Sequence, residues 1–207
     1  MPQRIDYFFA PNSPWTYLGH ERLVRLARET GAQVRVLPVD LGEVFPVSGG
    51  LPLPKRAPQR QAYRLVELRR FSQHLGLPLN LQPRFFPVKA DDAARLIIAV
   101  DRHDGADAAL RLLGAALAAV WVQERDIADE ATLAGLLQEQ GLPAQRLGQS
   151  RDDESQSRYQ ANTREAIDAG VFGAPSYVVD GEIFWGQDRL DFLGRRLARG
   201  DGAQLAG

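Results

Sequence analysis

The first apolar run has the pattern of a strand at the middle of a sheet. In Ile5-Asp6-Tyr7-Phe8-Phe9, residues 5, 7 and 9 project to one face and Phe8 to the other, so both faces call for cover. Asn12 and Ser13 then offer helix-cap chemistry, and Pro14 suits a first helical turn. From Trp15 to Thr30 the residues Leu18, Leu23, Leu26 and Ala27 recur near helical spacing, and Gly31 supplies a stop. Val34, Val36, Leu37 and Val39 predict a second strand. A β-α-β opening implies a parallel pair joined by a right-handed crossover.

From Asp40 to Pro58 the chain is rich in Pro and Gly and is predicted to be a loop. Tyr63, Val66, Phe71 and Leu75 then mark a helix ending near Gly76-Leu77-Pro78, followed by an irregular segment through Pro83 and Phe85-Phe86-Pro87. Ala93 to Val100, and Leu110 to Trp121, mark two more helices. A fourth carries Leu133, Leu136 and Leu137, capped by Asp129 and stopped by Gly141. A further helix around Tyr159 to Ala169 ends at Gly170. Ser176 to Val179, Asp180-Gly181 and Glu182 to Trp185 form a β-hairpin signature with a type I′ turn. Gly186-Gln187-Asp188 opens a last helix with Leu190, Leu193 and Leu197, and the tail after Arg199 reads as frayed. The order is that of an α/β, thioredoxin-like fold (β-α-β, then β-β-α) with a large all-helical insertion. Residues 1–40 and 171–200 make the discontinuous thioredoxin-like domain, 155–170 a connecting helix, and 59–150 the helical insertion domain.

Composition narrows the chemistry. With 207 residues, 44% hydrophobic and 25% charged, the chain can build one full core. Its 25 basic and 26 acidic residues leave a net charge of −1, so no global field recruits nucleic acid or an anionic membrane, and binding must come from a local site. The absence of cysteine excludes a disulfide oxidoreductase and thiolate metal sites. His20, His74 and His103 form no motif, so no metal is expected. The first residues lack the apolar core of a signal peptide, and no apolar run reaches membrane-spanning length; a soluble, cytoplasmic protein is expected.

Ser13-Pro14-Trp15-Thr16 has the form of a Cys-Pro-Trp-Cys redox motif in which both sulfurs have become hydroxyls. A hydroxyl can hydrogen-bond a sulfur that arrives with a ligand, but it cannot form a disulfide. Ser13 alone reads as an ordinary N-cap, a reading that loses ground beside the Val171 to Ser176 loop. In Val171-Phe172-Gly173-Ala174-Pro175-Ser176, a cis Ala174-Pro175 bond would turn the Ala174 N–H and C=O toward a peptide-like ligand; a trans bond in a plain loop is the alternative. Asp188 either compensates a helix dipole or clamps an ammonium group, while free N–H groups at the helix start hold a carboxylate. The γ-glutamyl end of glutathione carries both groups on one carbon. Trp15 is an anchor for the motif; Trp185 and Tyr177 shape an aromatic pocket or belong to the hairpin core. Ser13 lacks the Gly-x-Ser-x-Gly elbow, which removes support for an acyl-enzyme.

Phe8-Phe9-Ala10-Pro11-Asn12-Ser13-Pro14-Trp15-Thr16-Tyr17-Leu18-Gly19, with Val171 to Pro175 and Phe184-Trp185-Gly186-Gln187-Asp188-Arg189-Leu190, resembles the 2-hydroxychromene-2-carboxylate isomerases and kappa-class glutathione transferases. The Tyr63 helix and Phe86-Pro87-Val88 extend the likeness through the middle. The resemblance implies glutathione as cofactor, its sulfur hydrogen-bonded by Ser13 and its cysteinyl backbone paired with Ala174 before cis Pro175. It also implies a γ-glutamyl contact with Gln187 and Asp188. A basic residue three before the helix Tyr, here Arg60, contributes, with Lys55 as the alternative. Asn12, Trp15 and Lys55 complete the candidate substrate pocket, Asn12 either touching substrate or capping the helix. The implied reaction converts 2-hydroxychromene-2-carboxylate to a hydroxybenzylidenepyruvate in aromatic degradation, with a small aromatic oxo-acid as substrate, in a cytoplasmic homodimer. A kappa-type transferase and a redox-silent thioredoxin-like binding protein are the competing readings.

Overall fold

The structure is a computed structural model that describes residues 3–198. Strand β1 (Arg4–Phe9) pairs in parallel with β2 (Gln33–Pro38) and antiparallel with β3 (Ser176–Val179), which pairs antiparallel with β4 (Glu182–Trp185). The order β2-β1-β3-β4 makes β1 an interior strand, as its two-sided apolar pattern requires. Asp180 (φ 51°) and Gly181 (φ 82°) join β3 to β4 with the two left-handed residues of a type I′ turn.

The helices are α1 (Pro14–Thr30), α2 (Leu41–Ser48), α3 (Pro58–Leu75), α4 (Asp91–Asp104), α5 (Ala106–Trp121), α6 (Glu130–Glu139), α7 (Gln145–Gln149), α8 (Asp153–Asp168) and α9 (Leu190–Ala198). Ile5, Tyr7 and Phe9 sink into an apolar cluster with Leu23 of α1, Leu96 and Val100 of α4, Leu113, Leu117 and Trp121 of α5, and Leu136 of α6. On the opposite face Phe8 packs with Leu37, Val39, Val178 and Ala166 of α8. The helices between the two halves of the sheet therefore share the core of β1; full burial of each such side chain contributes about 1.5–3 kcal/mol. Ion pairs lock α8 in place, from Arg35 of β2 to Glu165 (2.6 Å) and from Arg102 of α4 to Asp152 (3.1 Å). Among the described residues no helix is long and apolar enough to cross a membrane.

Three local expectations are corrected. The segment from Asp40 to Pro58 holds helix α2 and a short 3-10 turn, Leu53–Lys55. Gly42 and Pro46 both weaken a helix, and Pro46 lacks the N–H that would bond back to Gly42. Two turns persist because the Asp40 carboxylate accepts from the Gly42 N–H (2.6 Å) and Val44 is fully buried. Helix α7 buries none of its residues, so it left no apolar period to read. Gln187–Arg189 form a 3-10 turn, with α9 beginning at Leu190. The tail after Arg199 lies outside the described residues.

His20 of α1 is buried between the sheet and α5. Its Nε2 lies 2.9 Å from the Leu110 carbonyl, which can only accept, so the proton sits on Nε2 and Nδ1 faces the Tyr7 hydroxyl at 3.5 Å. Burial pushes its pKa down to about 4, partly offset by the bond to Leu110. Between that value and the unfolded value near 6.5 the unfolded chain binds more protons. Stability is therefore full above pH 6.5 and falls by about 3 kcal/mol as pH drops through this window. Denaturant melts across it should show this slope in the parent and a shallower one in His20→Gln.

Candidate active site

At the carboxyl end of β1 the chain turns through Ala10 and Asn12 into α1. Ser13 is the N-cap, and its Oγ accepts from the Thr16 N–H at 3.2 Å. Pro14 follows at the first helical position. The capping bond uses the lone pairs of Ser13, not its proton, and no acceptor for that proton is present among the described residues. The first turn of α1 carries no acidic side chain, so the partial positive charge of the helix end is not offset. Thr16, the second hydroxyl of the motif, is fully buried, and its Oγ1 has no partner among the described residues.

Ser13 opens into a cleft of about 860 Å³. One wall is the loop before β3, where Ala174-Pro175 is cis. Ser176 Oγ donates to the Gly173 carbonyl (2.7 Å) and the Gly186 N–H to the Pro175 carbonyl (2.9 Å), which hold that loop. The N–H and C=O of Ala174 make no hydrogen bond among the described residues. Gly173 is required here, because a Cβ would lie 2.6 Å from the Trp185 ring nitrogen. Trp185, 50% exposed, meets Phe172 at the rim with ring centres 4.7 Å apart and planes inclined at 58°, whereas Tyr177 is fully buried. The two hairpin aromatics thus divide between pocket and core.

The opposite wall is the Phe86-Pro87-Val88 segment. Tyr17 Oη donates to the Pro78 carbonyl (2.6 Å) and Asn12 Nδ2 to the Val88 carbonyl (2.7 Å), so residues at the start of α1 clamp this irregular stretch at both ends. The Asn12 amide therefore neither caps α1 nor hangs free in the cleft; it fastens the neighbouring wall. Trp15 lines the cleft and meets Phe71 of α3 edge-on at 6.1 Å.

Charge in the cleft departs from that of the chain. Arg56, Arg60, Arg64 and Lys89 line it, against Asp40 and Asp91. Both carboxylates have local duties: Asp40 caps α2, and Asp91 accepts from the Tyr159 hydroxyl at 3.3 Å. Arg56 is tethered through Nε to the Leu51 carbonyl at 2.7 Å. Burial lowers its pKa, as does the Arg60 charge. Arg60 is exposed on the lip. Lys55 is exposed between two lining residues, Pro54 and Arg56, and is not itself part of the wall. Sequence reasoning missed Arg56, Arg64 and Lys89. The four-residue spacing of Arg60 and Arg64, which stacks two cations along one side of α3, was the available signal for Arg64; Arg56 precedes the helix, and it and Lys89 had no such signal.

Gln187 and Asp188 stand apart from the cleft lining. Gln187 is 2% exposed, and its Oε1 and carbonyl accept from Arg22 of α1 at 2.9 and 3.0 Å. Its side chain therefore pins α1 to the end of the hairpin. The approach is close: a Cβ on Gly19 would meet Tyr177 Oη at 2.8 Å and Gln187 Cβ at 2.9 Å. Asp188 is partly exposed and pairs with Arg189 at 2.6 Å. Gly186, at φ 102°, leaves room for it, since a Cβ there would lie 2.7 Å from Asp188 Oδ1.

A hydroxyl in the place of a redox thiol, a helix N-terminus and a cis-Pro loop on a four-stranded mixed sheet define a redox-silent member of the thioredoxin class. Residues 4–198 match the DSBA-like thioredoxin domain model. The 2-hydroxychromene-2-carboxylate isomerase of Sphingobium xenophagum is 32% identical over 195 residues, covering 93% of this chain and 97% of that protein. Glutathione S-transferase kappa 1 of Caenorhabditis elegans is 25% identical, covering 92% and 88%. A solved structure of a 2-hydroxychromene-2-carboxylate isomerase superposes with a TM-score of 0.79 at 27% identity, covering 95% of each chain. The chain belongs to the DSBA-like thioredoxin family and, within it, to the group of 2-hydroxychromene-2-carboxylate isomerases and kappa-class glutathione transferases.

Asn12→Ala removes the clamp on Val88 and should cost about 1 kcal/mol of stability while leaving the fold in place. Hydrogen exchange should quicken at residues 84–89 and not in β1 or β3. Unchanged exchange there would show that the tie does not hold the wall.

Proposed function

We propose that this protein is a glutathione-dependent isomerase that interconverts 2-hydroxychromene-2-carboxylate and a hydroxybenzylidenepyruvate. The observation that carries the reading is the Ser13 hydroxyl, which keeps a free proton at an uncompensated helix N-terminus, inside a cationic cleft. The full-length likeness to proteins of that isomerase name supports an isomerase enzyme, and the likeness to kappa transferases supports glutathione as its cofactor.

The residues fit the tripeptide. Ser13 donates to the sulfur, Ala174 offers its unused backbone groups to the cysteinyl unit, and Arg60 supplies a charge for a carboxylate. Outside the cleft lining, at the end of the hairpin, Asp188 offers a carboxylate to the ammonium of the γ-glutamyl end, and Gln187 acts through its backbone N–H, since its carbonyl and side-chain oxygen are engaged by Arg22. When bound, glutathione supplies a thiolate that adds reversibly to the unsaturated oxo-acid, so that the former double bond can turn. An ordinary thiol, with pKa near 8.5, is only about 3% ionised at neutral pH. The Ser13 hydrogen bond to a charged sulfur, roughly 1.5–3 kcal/mol, lowers that pKa by about one to two units, and the end of α1 adds to it. The Phe86–Val88 wall and Trp15 line the cleft around the site.

The decisive experiment is calorimetric titration with glutathione beside S-methylglutathione, followed by an ultraviolet assay on the chromene acid. Isomerisation that requires the free thiol without consuming it supports the reading. Glutathione consumed in stoichiometric adducts with electrophiles would favour a kappa-type transferase, and no binding of either ligand would leave a redox-silent binding protein.

Ser13→Ala should keep the fold and lower turnover by about 10- to 1,000-fold, as expected for a lost donor to an anion. The thiolate absorbance of bound glutathione should appear at higher pH than in the parent; an identical titration would remove Ser13 from this role. Asp188→Asn should raise the apparent KM for glutathione and spare turnover at saturation, because the lost charge faces a remote part of the cofactor. Kinetics at varied glutathione decide this, and an unchanged KM would leave Asp188 with its Arg189 pair alone.

A further inference from the structure

Arg64 lies midway along α3, half-buried in the cleft wall. Its guanidinium sits 5.2 Å from the ring centre of Phe86 and 5.8 Å from that of the fully buried Trp121. Such a setting fixes the plane of an arginine and strips water from its face, which readies it for a planar anion. Yet no carboxylate pairs with it among the described residues, whereas Arg35, Arg102 and Arg146 all have acidic partners. The charge acting on it is a like one. Burial first, and then Arg56, bring its pKa down to about 10, so it remains protonated at neutral pH but lacks a counter-charge.

The connections around Arg64 point to the reacting end of the cleft. Phe86 belongs to the segment whose Val88 carbonyl is held by Asn12, the residue next to Ser13. Arg60, one turn nearer the start of α3, is exposed at the lip and free for the cofactor. Two anionic ligands in one cleft call for two separate cations, and Arg64 is the less exposed of the two, packed against the Phe86 wall.

We propose that Arg64 is the specificity-determining residue for the second ligand and binds its carboxylate, so that the protein selects an aromatic acid over the corresponding neutral ester. This rests on the isomerase reading for the identity of the reaction, but not for the existence of the anion site. Arg56 has one edge of its guanidinium tied through Nε to the Leu51 carbonyl, and Lys89 lacks the paired donors of a planar fork.

The test uses Arg64→Met, whose unbranched side chain can still pack against Phe86 and Trp121, with Arg64→Gln as a second variant should the first fail to fold. Without glutathione, calorimetry with 2-hydroxycinnamate and with its methyl ester should show that the parent prefers the acid and that the variant loses this preference, by about 10- to 100-fold in affinity for the acid. In the full reaction the KM for the chromene acid should rise by a similar factor, with kcat and the KM for glutathione changed by less than about 2-fold. Arg64→Lys should restore part of the affinity through charge alone. Equal acid and ester binding by the parent, unchanged discrimination in the variant, or a loss confined to glutathione would each overturn the proposal. The glutathione-free arm separates this outcome from failure of the isomerase reading, which would abolish turnover in the parent while leaving acid binding intact.

Discussion

Burial of β1 on both faces is the constraint from which the rest of the molecule follows. A strand with Ile5, Tyr7 and Phe9 on one side and Phe8 on the other needs two layers of cover, and α1, α4 and α5 supply one while α8 and its neighbours supply the second. Such a strand cannot slip, because a shift of one residue would exchange its faces. Its carboxyl end is therefore a fixed point, and Ser13 stands four residues beyond Phe9. Open sheets of this kind bind ligands at the carboxyl ends of their parallel strands, where helix N-termini converge. The precision of the site is inherited from the core.

The second constraint is electrostatic. A chain with a net charge of −1 concentrates uncompensated cations in one cleft while most of its other arginines are engaged in ion pairs across the surface. Mutual repulsion among Arg56, Arg60 and Arg64 opposes folding, and burial depresses two of them further. An anion bound in the cleft would offset that repulsion and add its binding free energy to the folded state. Such a cleft also suits a tripeptide with two carboxylates and an ionising thiol more than a neutral peptide.

The fold was legible where the apolar period was strong and the turn chemistry unambiguous. β1, the crossover to β2, the Asp180-Gly181 hairpin and the long helices α4 and α5 all carry such signals. Helix α2 was not legible, because Gly42 and Pro46 argue against it locally and only the Asp40 cap and the burial of Val44 sustain it. At the site, Ser13 and the cis-Pro loop could be read from local motifs, and the structure brings Ser13, Ala174, Arg60, Trp15 and Asn12 to one cleft. The contact of Asn12 with Val88 spans 76 positions, and Arg64 acquires its meaning from Phe86 and Trp121. Neither relation has a local signature. Gln187 turns its side-chain oxygen to Arg22 of α1, a relation across 165 positions that also has no local signature.

Hydroxyls at residues 13 and 16, where a redox motif carries thiols, keep the strand-to-helix geometry of the motif and leave it without an electron sink. This matters for the chemistry proposed. A thiolate that must add and then leave needs a pKa near ambient pH, because nucleophilicity falls as the thiolate is stabilised. A neutral donor such as Ser13 brings an ordinary thiol close to that range, whereas a cation directly at the N-cap would overshoot it. The clustered arginines accordingly belong to α3 and the segment before it, not to the first turn of α1. Within the proposed reaction, the N-cap hydroxyl tunes the sulfur and the arginine wall selects what meets it. Separate elements of the fold can then adjust the two functions independently.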